Sequence, residues 1–177
     1  DWKEGKEDLL AYMEHNTKDC EVVFNEGPCV IVHVPSFDSS HKLCGNGRTG
    51  WCIAREESYF KNYVTSKPNR DQYFLFDFSR KETDAFAHIG FTVEGGQGIV
   101  EAQTCHNYGM ISPYSQGNEK LSIYNVFDKF GIKMSLFMRL PKDLGFKWNI
   151  TDILEKVKKK PESYAVAYEN DGRLVLN

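Results

Sequence analysis

The stretch Gly45-Asn46-Gly47-Arg48-Thr49-Gly50-Trp51-Cys52-Ile53-Ala54-Arg55 gathers the residue types best suited to chemistry in this chain. A cysteine acts as a nucleophile through its thiolate, and a helix start flanked by cations favours that form. Thr49 is placed to cap a helix opening at Trp51, which would put Cys52 in its first turn with Arg48 and Arg55 close by. Gly45, Gly47 and Gly50 would let backbone N–H groups approach a bound molecule closely. A nucleophile also needs a base and a group to orient that base. His88 opens a predicted strand, and Glu101 lies on its hairpin partner, with Asp77 as the alternative orienter. The N–H groups around Gly50 and Trp51 would then serve as oxyanion donors.

Cysteine at a helix start, followed by histidine and an acid on strands, is the chain order of papain-like and transglutaminase-like enzymes. The first expectation is therefore a cysteine-dependent hydrolase or transferase using Cys52, His88 and Glu101. The competing expectation is a non-catalytic interaction module, or an anion- or nucleotide-binding one. Cysteine is among the residues most often buried as a small hydrophobe, and Trp51-Cys52-Ile53 would then simply plug a helix into a sheet. Under either reading Gly45 to Thr49, with Gly50 and Trp51, is expected to line the main concave site. The following helix would point its N-terminus into that site, Arg48 and Arg55 would add charge, and Tyr59 and Tyr63 would form a wall. Such a pocket would take an anionic small molecule, or an anionic group on a protein partner. The glycines could equally serve a tight chain reversal. No Walker or Rossmann pattern surrounds them, and nothing calls for a cofactor. His41, Cys44, Cys105 and His106 are zinc-competent, but adjacent ligands on one strand point to opposite faces.

The elements that must position these groups follow from periodicity and turn chemistry. Residues 2–15 read as a helix with Leu9, Leu10 and Met13 on one face. Asn25-Glu26-Gly27-Pro28 joins two strands into a hairpin, and Ser36 caps a short helix through His41 and Leu43. A continuous helix is predicted from Trp51 to Val64, then strands over 72–78, 88–93 and 98–103, the last two joined at Glu94-Gly95-Gly96-Gln97. Helices are predicted over 121–130, 133–140 and 151–159. The helix at 151–159 is capped at Asn149, a better reading of Asn149-Ile150-Thr151 than a glycosylation sequon, and Lys156, Lys158, Lys159 and Lys160 suit its C-terminal end. Asp171-Gly172 signals a last hairpin. The pattern predicts a single α+β domain over 1–177, with helices packed on a largely antiparallel sheet, a core module at about 20–105 and an appended 120–177. The expected core is Val23, Val30, Val32, Trp51, Ile53, Phe60, Phe74, Phe76, Ile89, Phe91 and Ile99.

Composition bounds the rest. The chain has 177 residues with 41% hydrophobic, 14% aromatic and 27% charged, which excludes a disordered polymer. Its formal charge of -3 disfavours a dedicated nucleic-acid binder, though a local basic patch could still exist. No apolar run is long enough to span a membrane. Five cysteines, an odd number at spacings unlike a disulfide scaffold, point to a reducing cytoplasm. The charged start at Asp1 fits either a removed leader or a piece of a longer protein.

The run from His33 to Ala102 resembles a loosely defined group of phage-associated proteins. The likeness lies in Pro35-Ser36-Phe37, Lys42-Leu43, Thr49-Gly50-Trp51-Cys52-Ile53-Ala54, the Tyr59–Tyr63 segment, Tyr73-Phe74-Leu75-Phe76-Asp77 and Ile89-Gly90-Phe91-Thr92. It covers somewhat under half the chain. It implies a phage or prophage origin, with the host cytoplasm as compartment, and an intact module from about residue 20 to 105. It carries no activity with it.

Overall fold

A hairpin turning at Gly27 and three further strands, with one long helical excursion between them, build a single sheet. The computed structural model describes residues 2–79, 87–94, 99–105, 167–170 and 173–176. The helices expected over 121–130, 133–140 and 151–159, the lysine run and His106 lie outside the described residues. Helix α1 (Trp2–Asn16) leads to β1 (Glu21–Glu26) and β2 (Cys29–His33). Next come α2 (Phe37–Cys44), the four-residue helices α3 (Cys52–Arg55) and α4 (Glu57–Phe60), and a π-helical turn at Lys61–Thr65. Strands β3 (Arg70–Asp77), β4 (Ala87–Glu94) and β5 (Ile99–Thr104) follow. The sheet order is β1-β2-β3-β4-β5, each strand antiparallel to its neighbours. Strands β6 (Ala167–Asn170) and β7 (Arg173–Leu176) pair antiparallel, in keeping with the last hairpin that the sequence predicts. The protein is α+β, as expected from its alternation of hairpins and helices.

The sheet is a central layer. Val30, Val32, Phe74 and Phe76 share one face and cluster with Leu9 and Met13 of α1, Leu43 and Cys44 of α2, and Trp51 and Ala54. The opposite-parity residues Ile31, Leu75, Ile89 and Phe91 are fully buried too, so β2 and the Tyr73–Phe76 stretch of β3 read as unbroken apolar runs. The expected pairing of the aromatic strand with the Ile89 strand is present, with Phe74 opposite Gly90 and Leu75 opposite Ile89. Most of the expected core is buried, while Ile53 is only half-buried. Val23 is the instructive exception. An extra residue between Val22 and Phe24 shifts the β1–β2 register, so Phe24 turns inward and Val23 is half-buried.

The predicted continuous helix from Trp51 to Val64 is corrected. Glu56 is extended at φ -135 and ψ 134, which separates α3 from α4, and the chain then widens into the π turn. Side-chain anchors upstream account for the placement of α3. Ser40 Oγ donates to Ile53 O at 3.0 Å, and His41 Nδ1 bonds Ala54 O at 2.8 Å. Tying α3 to α2 in this way sets its direction independently of α4. At the other end of α2, Ser36 and Ser39 hydroxyls both donate to the Asp19 carboxylate, fixing the α1–β1 turn against the helix start.

Candidate functional site

Trp51 is the pivot of the site. Its indole N–H donates to Thr104 O at 2.8 Å, and its ring stacks on Phe74 with centroids 5.0 Å apart. Gly90 makes this possible, because a Cβ there would lie 3.1 Å from the indole. Beside Trp51 the sheet surface falls away into a cavity of about 240 Å³. Its walls include Trp51, Cys52 and Ile53 on one side and Tyr63 of the π turn on another. Its floor is built by register. Gln72, Thr92 and Glu101 stand directly opposite one another on β3, β4 and β5. Such in-register side chains have Cβ atoms about 4.5–5.5 Å apart. Gly90 and Gln103 form the next row.

This row is polar, whereas Val30, Val32, Phe74 and Phe76 on the same face are apolar. Gln72 and Thr92 are buried, at 2% and 4% exposure. Gln72 Nε2 is tied to Tyr73 O at 3.1 Å. The Thr92 hydroxyl is buried with no hydrogen-bond partner among the described residues. A native hydroxyl left in that state asks for an explanation, and an occupant of the cavity is one. Tyr63 is held in place by parallel stacking on Tyr59, with centroids 6.2 Å apart and planes at 7°.

The structure brings four of the sequence-predicted residues to this cavity: Cys52, Glu101, Trp51 and Tyr63. It leaves the others away from the lining. His88 is not among the lining residues, and its carbonyl accepts from Cys105 N at 3.1 Å. The Asp77 carboxylate closes its own turn, accepting from Ser79 N at 3.0 Å and Ser79 Oγ at 2.6 Å. Burial pushes the Cys52 thiol above its ordinary value. Arg55 and two backbone N–H groups oppose that rise, and Glu101 adds to it. The helix beginning at Cys52 has only four residues, so few peptide dipoles add up behind the sulfur. The helix start thus gives this thiol little of the expected activation.

The glycine loop is corrected as well. Gly45, Gly47, Arg48, Thr49 and Gly50 do not line the cavity. The loop spends its N–H groups on the chain itself: Gly45 N on His41 O at 2.8 Å, Arg48 N on Gly45 O at 3.2 Å, Gly50 N on Cys105 O at 2.7 Å. Thr49 caps no helix. Its hydroxyl donates to Cys44 O at 2.8 Å and accepts from Trp51 N at 3.3 Å, and the cap position belongs to Trp51. Gly45 is required by close approach, since a Cβ would sit 2.5 Å from His41 O and 2.7 Å from Ala54 O. Gly47 is required by its φ of +80. The loop is a tight reversal, and Arg48 turns to the other side. There its guanidinium donates to Lys42 O at 2.7 Å and borders a second cavity, of about 190 Å³, under α1. Arg55 is exposed, and Tyr59 supports Tyr63 without lining the cavity.

Gln72, Thr92 and Gln103 escaped the sequence reading, although a signal existed. Gly90 and Thr92 alternate with Ile89, Phe91 and Val93, and Glu101 and Gln103 alternate with Val100 and Ala102. Period-two alternation of small or polar with apolar residues on two paired strands marks one unfilled face. All five cysteines are free thiols, and no group of three or more metal-binding side chains occurs among the described residues. No helix among them is long and apolar enough to cross a membrane. Comparison with protein-family models, with curated proteins and with solved structures finds no match to this chain.

Proposed function

We propose that the chain is a non-catalytic small-molecule-binding module whose ligand enters the cavity over β3, β4 and β5. One observation carries the reading: the buried, unpartnered Thr92 hydroxyl on the cavity floor. Evolution rarely retains such a group without a bond to complete it. The volume, about 240 Å³, falls just below the roughly 300–1,000 Å³ of pockets for drug-sized ligands, so the occupant is compact. Mostly apolar walls with a few convergent polar groups fit the usual design of such pockets. The likeness to phage-associated proteins adds an origin to this reading and no chemistry.

A cysteine-dependent reaction retains one observation in its favour, the presence of Cys52 in the cavity wall. Against it stand a thiol raised by burial and no histidine among the described lining residues. Two measurements test the choice. Compact probe molecules should perturb the backbone amide NMR signals of Gly90, Thr92 and Ala102 before any others. Cys52 should react with iodoacetamide at neutral pH no faster than an ordinary thiol. Perturbations confined to other surfaces would remove the binding reading, and fast, selective alkylation of Cys52 would restore the catalytic one.

A further inference from the structure

We propose that the ligand is a compact organic cation, an amine or guanidine, seated with its N–H donors on the row Gln72, Thr92 and Glu101. This rests on the cavity being a ligand site and adds the chemical class of what fills it. The charge of the lining gives the sign. Among the described lining residues Glu101 is the one charged side chain, and it is an acid. The nearby arginines lie outside the lining. Arg70, opposite Glu94 in the β3–β4 register, pairs with Glu94 at 3.3 Å and donates to Tyr63 O at 3.1 Å. Arg55 acts on the Cys52 thiol, but it is exposed and outside the lining, so solvent screens its charge. An anion placed here would face the Glu101 carboxylate, the one charge among the described lining residues, and like charges in contact are strongly selected against.

The hydrogen-bonding inventory points the same way. A carboxylate only accepts, and a threonine hydroxyl can accept as readily as donate. With one Nε2 hydrogen of Gln72 committed to Tyr73 O, that amide keeps its oxygen, with two lone pairs, and a single N–H for a ligand. The row is thus rich in acceptors and suits a group carrying several N–H donors, bound by charge-assisted hydrogen bonds. Tyr63 and Trp51 supply aromatic surface beside it, which attracts cations and packs against a ligand's apolar part. A bare metal ion does not fit, because calcium or magnesium needs about six oxygen ligands and the lining has a single carboxylate.

The test uses three probes of one shape and different charge: benzylamine, benzyl alcohol and benzoate. Each is added to the full chain at neutral pH while iodoacetamide reacts with Cys52, whose alkylation reports occupancy of the cavity. Benzylamine should protect Cys52 at a concentration at least about fivefold below that needed for benzyl alcohol, and benzoate should not protect. Added salt should weaken protection by benzylamine and leave that by benzyl alcohol unchanged. In Glu101→Gln the amine should lose its advantage while the alcohol still protects. The native chain alone decides the matter should that variant misfold. If the alcohol or benzoate protects as well as the amine, the cation is wrong and the cavity remains a ligand site. If none of the three protects, this inference and the binding reading fall together.

Discussion

A hydroxyl buried without a partner costs roughly 1–3 kcal/mol against one that is satisfied. Thr92 carries that cost in the folded chain, and the cost sets up a test at the scale of one side chain. Thr92→Val keeps the branched shape and replaces the hydroxyl by a methyl. The valine variant should unfold at a higher urea concentration than the native protein, by an amount worth about 1 kcal/mol. Thr92→Ser, which keeps the hydroxyl and loses a methyl group, should unfold lower. A gain in stability combined with weaker probe binding is the signature of a residue retained for a ligand (a stability–function trade). A drop in the urea midpoint of Thr92→Val would mean that the hydroxyl is satisfied in solution. Cys52 and Glu101 were legible as candidate site residues because reactive side chains stand out by type. Thr92 was not, because a threonine in a strand looks like any β-branched residue until the register places it opposite Gln72 and Glu101.

At the scale of elements, the hairpins and the first helix were legible because turn residues and apolar period act locally. The break at Glu56 was not, because the apolar positions Ile53, Phe60 and Val64 satisfy a continuous helix just as well. What overrides them is tertiary: Ser40 and His41 hold the carbonyls of Ile53 and Ala54, so α3 follows α2. The glycine loop owes its composition to the same junction, and two substitutions separate a tight reversal from a binding loop. In Gly45→Ala the new methyl meets backbone oxygens at 2.5 Å and 2.7 Å, which cannot rotate away. That variant should lose about 2–3 kcal/mol or more and shift Trp51 with α3, read as a lower unfolding midpoint and altered probe binding. Gly47→Ala has open space around it and a φ of +80, so it should cost only about 1 kcal/mol and leave binding intact. Equal, small effects at both positions would contradict the packing described for this junction.

The whole molecule distributes its thiols so that folding itself resists their ionisation. Burial pushes Cys20 from 9.0 up to about 11, holds Cys44 well above its ordinary value and raises Cys52. In each case the folded value lies above the unfolded one. The corresponding stabilisation is therefore complete below pH 9.0, where the thiols of both states are protonated. Above it the unfolded chain releases protons that the folded chain retains, and stability falls as pH rises toward the folded values. Asp19 acts on the opposite limb. Desolvation pushes its carboxyl up, but the Ser36 and Ser39 hydroxyls and local hydrogen bonds outweigh it and leave the value lowered. Its contribution is present above pH 3.8 and lost as pH falls through the lowered folded value. The urea midpoint should thus decline between pH 9.0 and about 11. The slope should lessen in Cys44→Ala, whose thiol lies deepest, even though the variant is less stable at neutral pH for want of its sulfur. Val32→Ala removes packing from the same cluster and no titratable group, so it separates the loss of packing from the loss of the thiol at Cys44. An unchanged alkaline slope in Cys44→Ala would show that this thiol ionises as freely in the fold as out of it. That would contradict its full burial between α2 and the sheet.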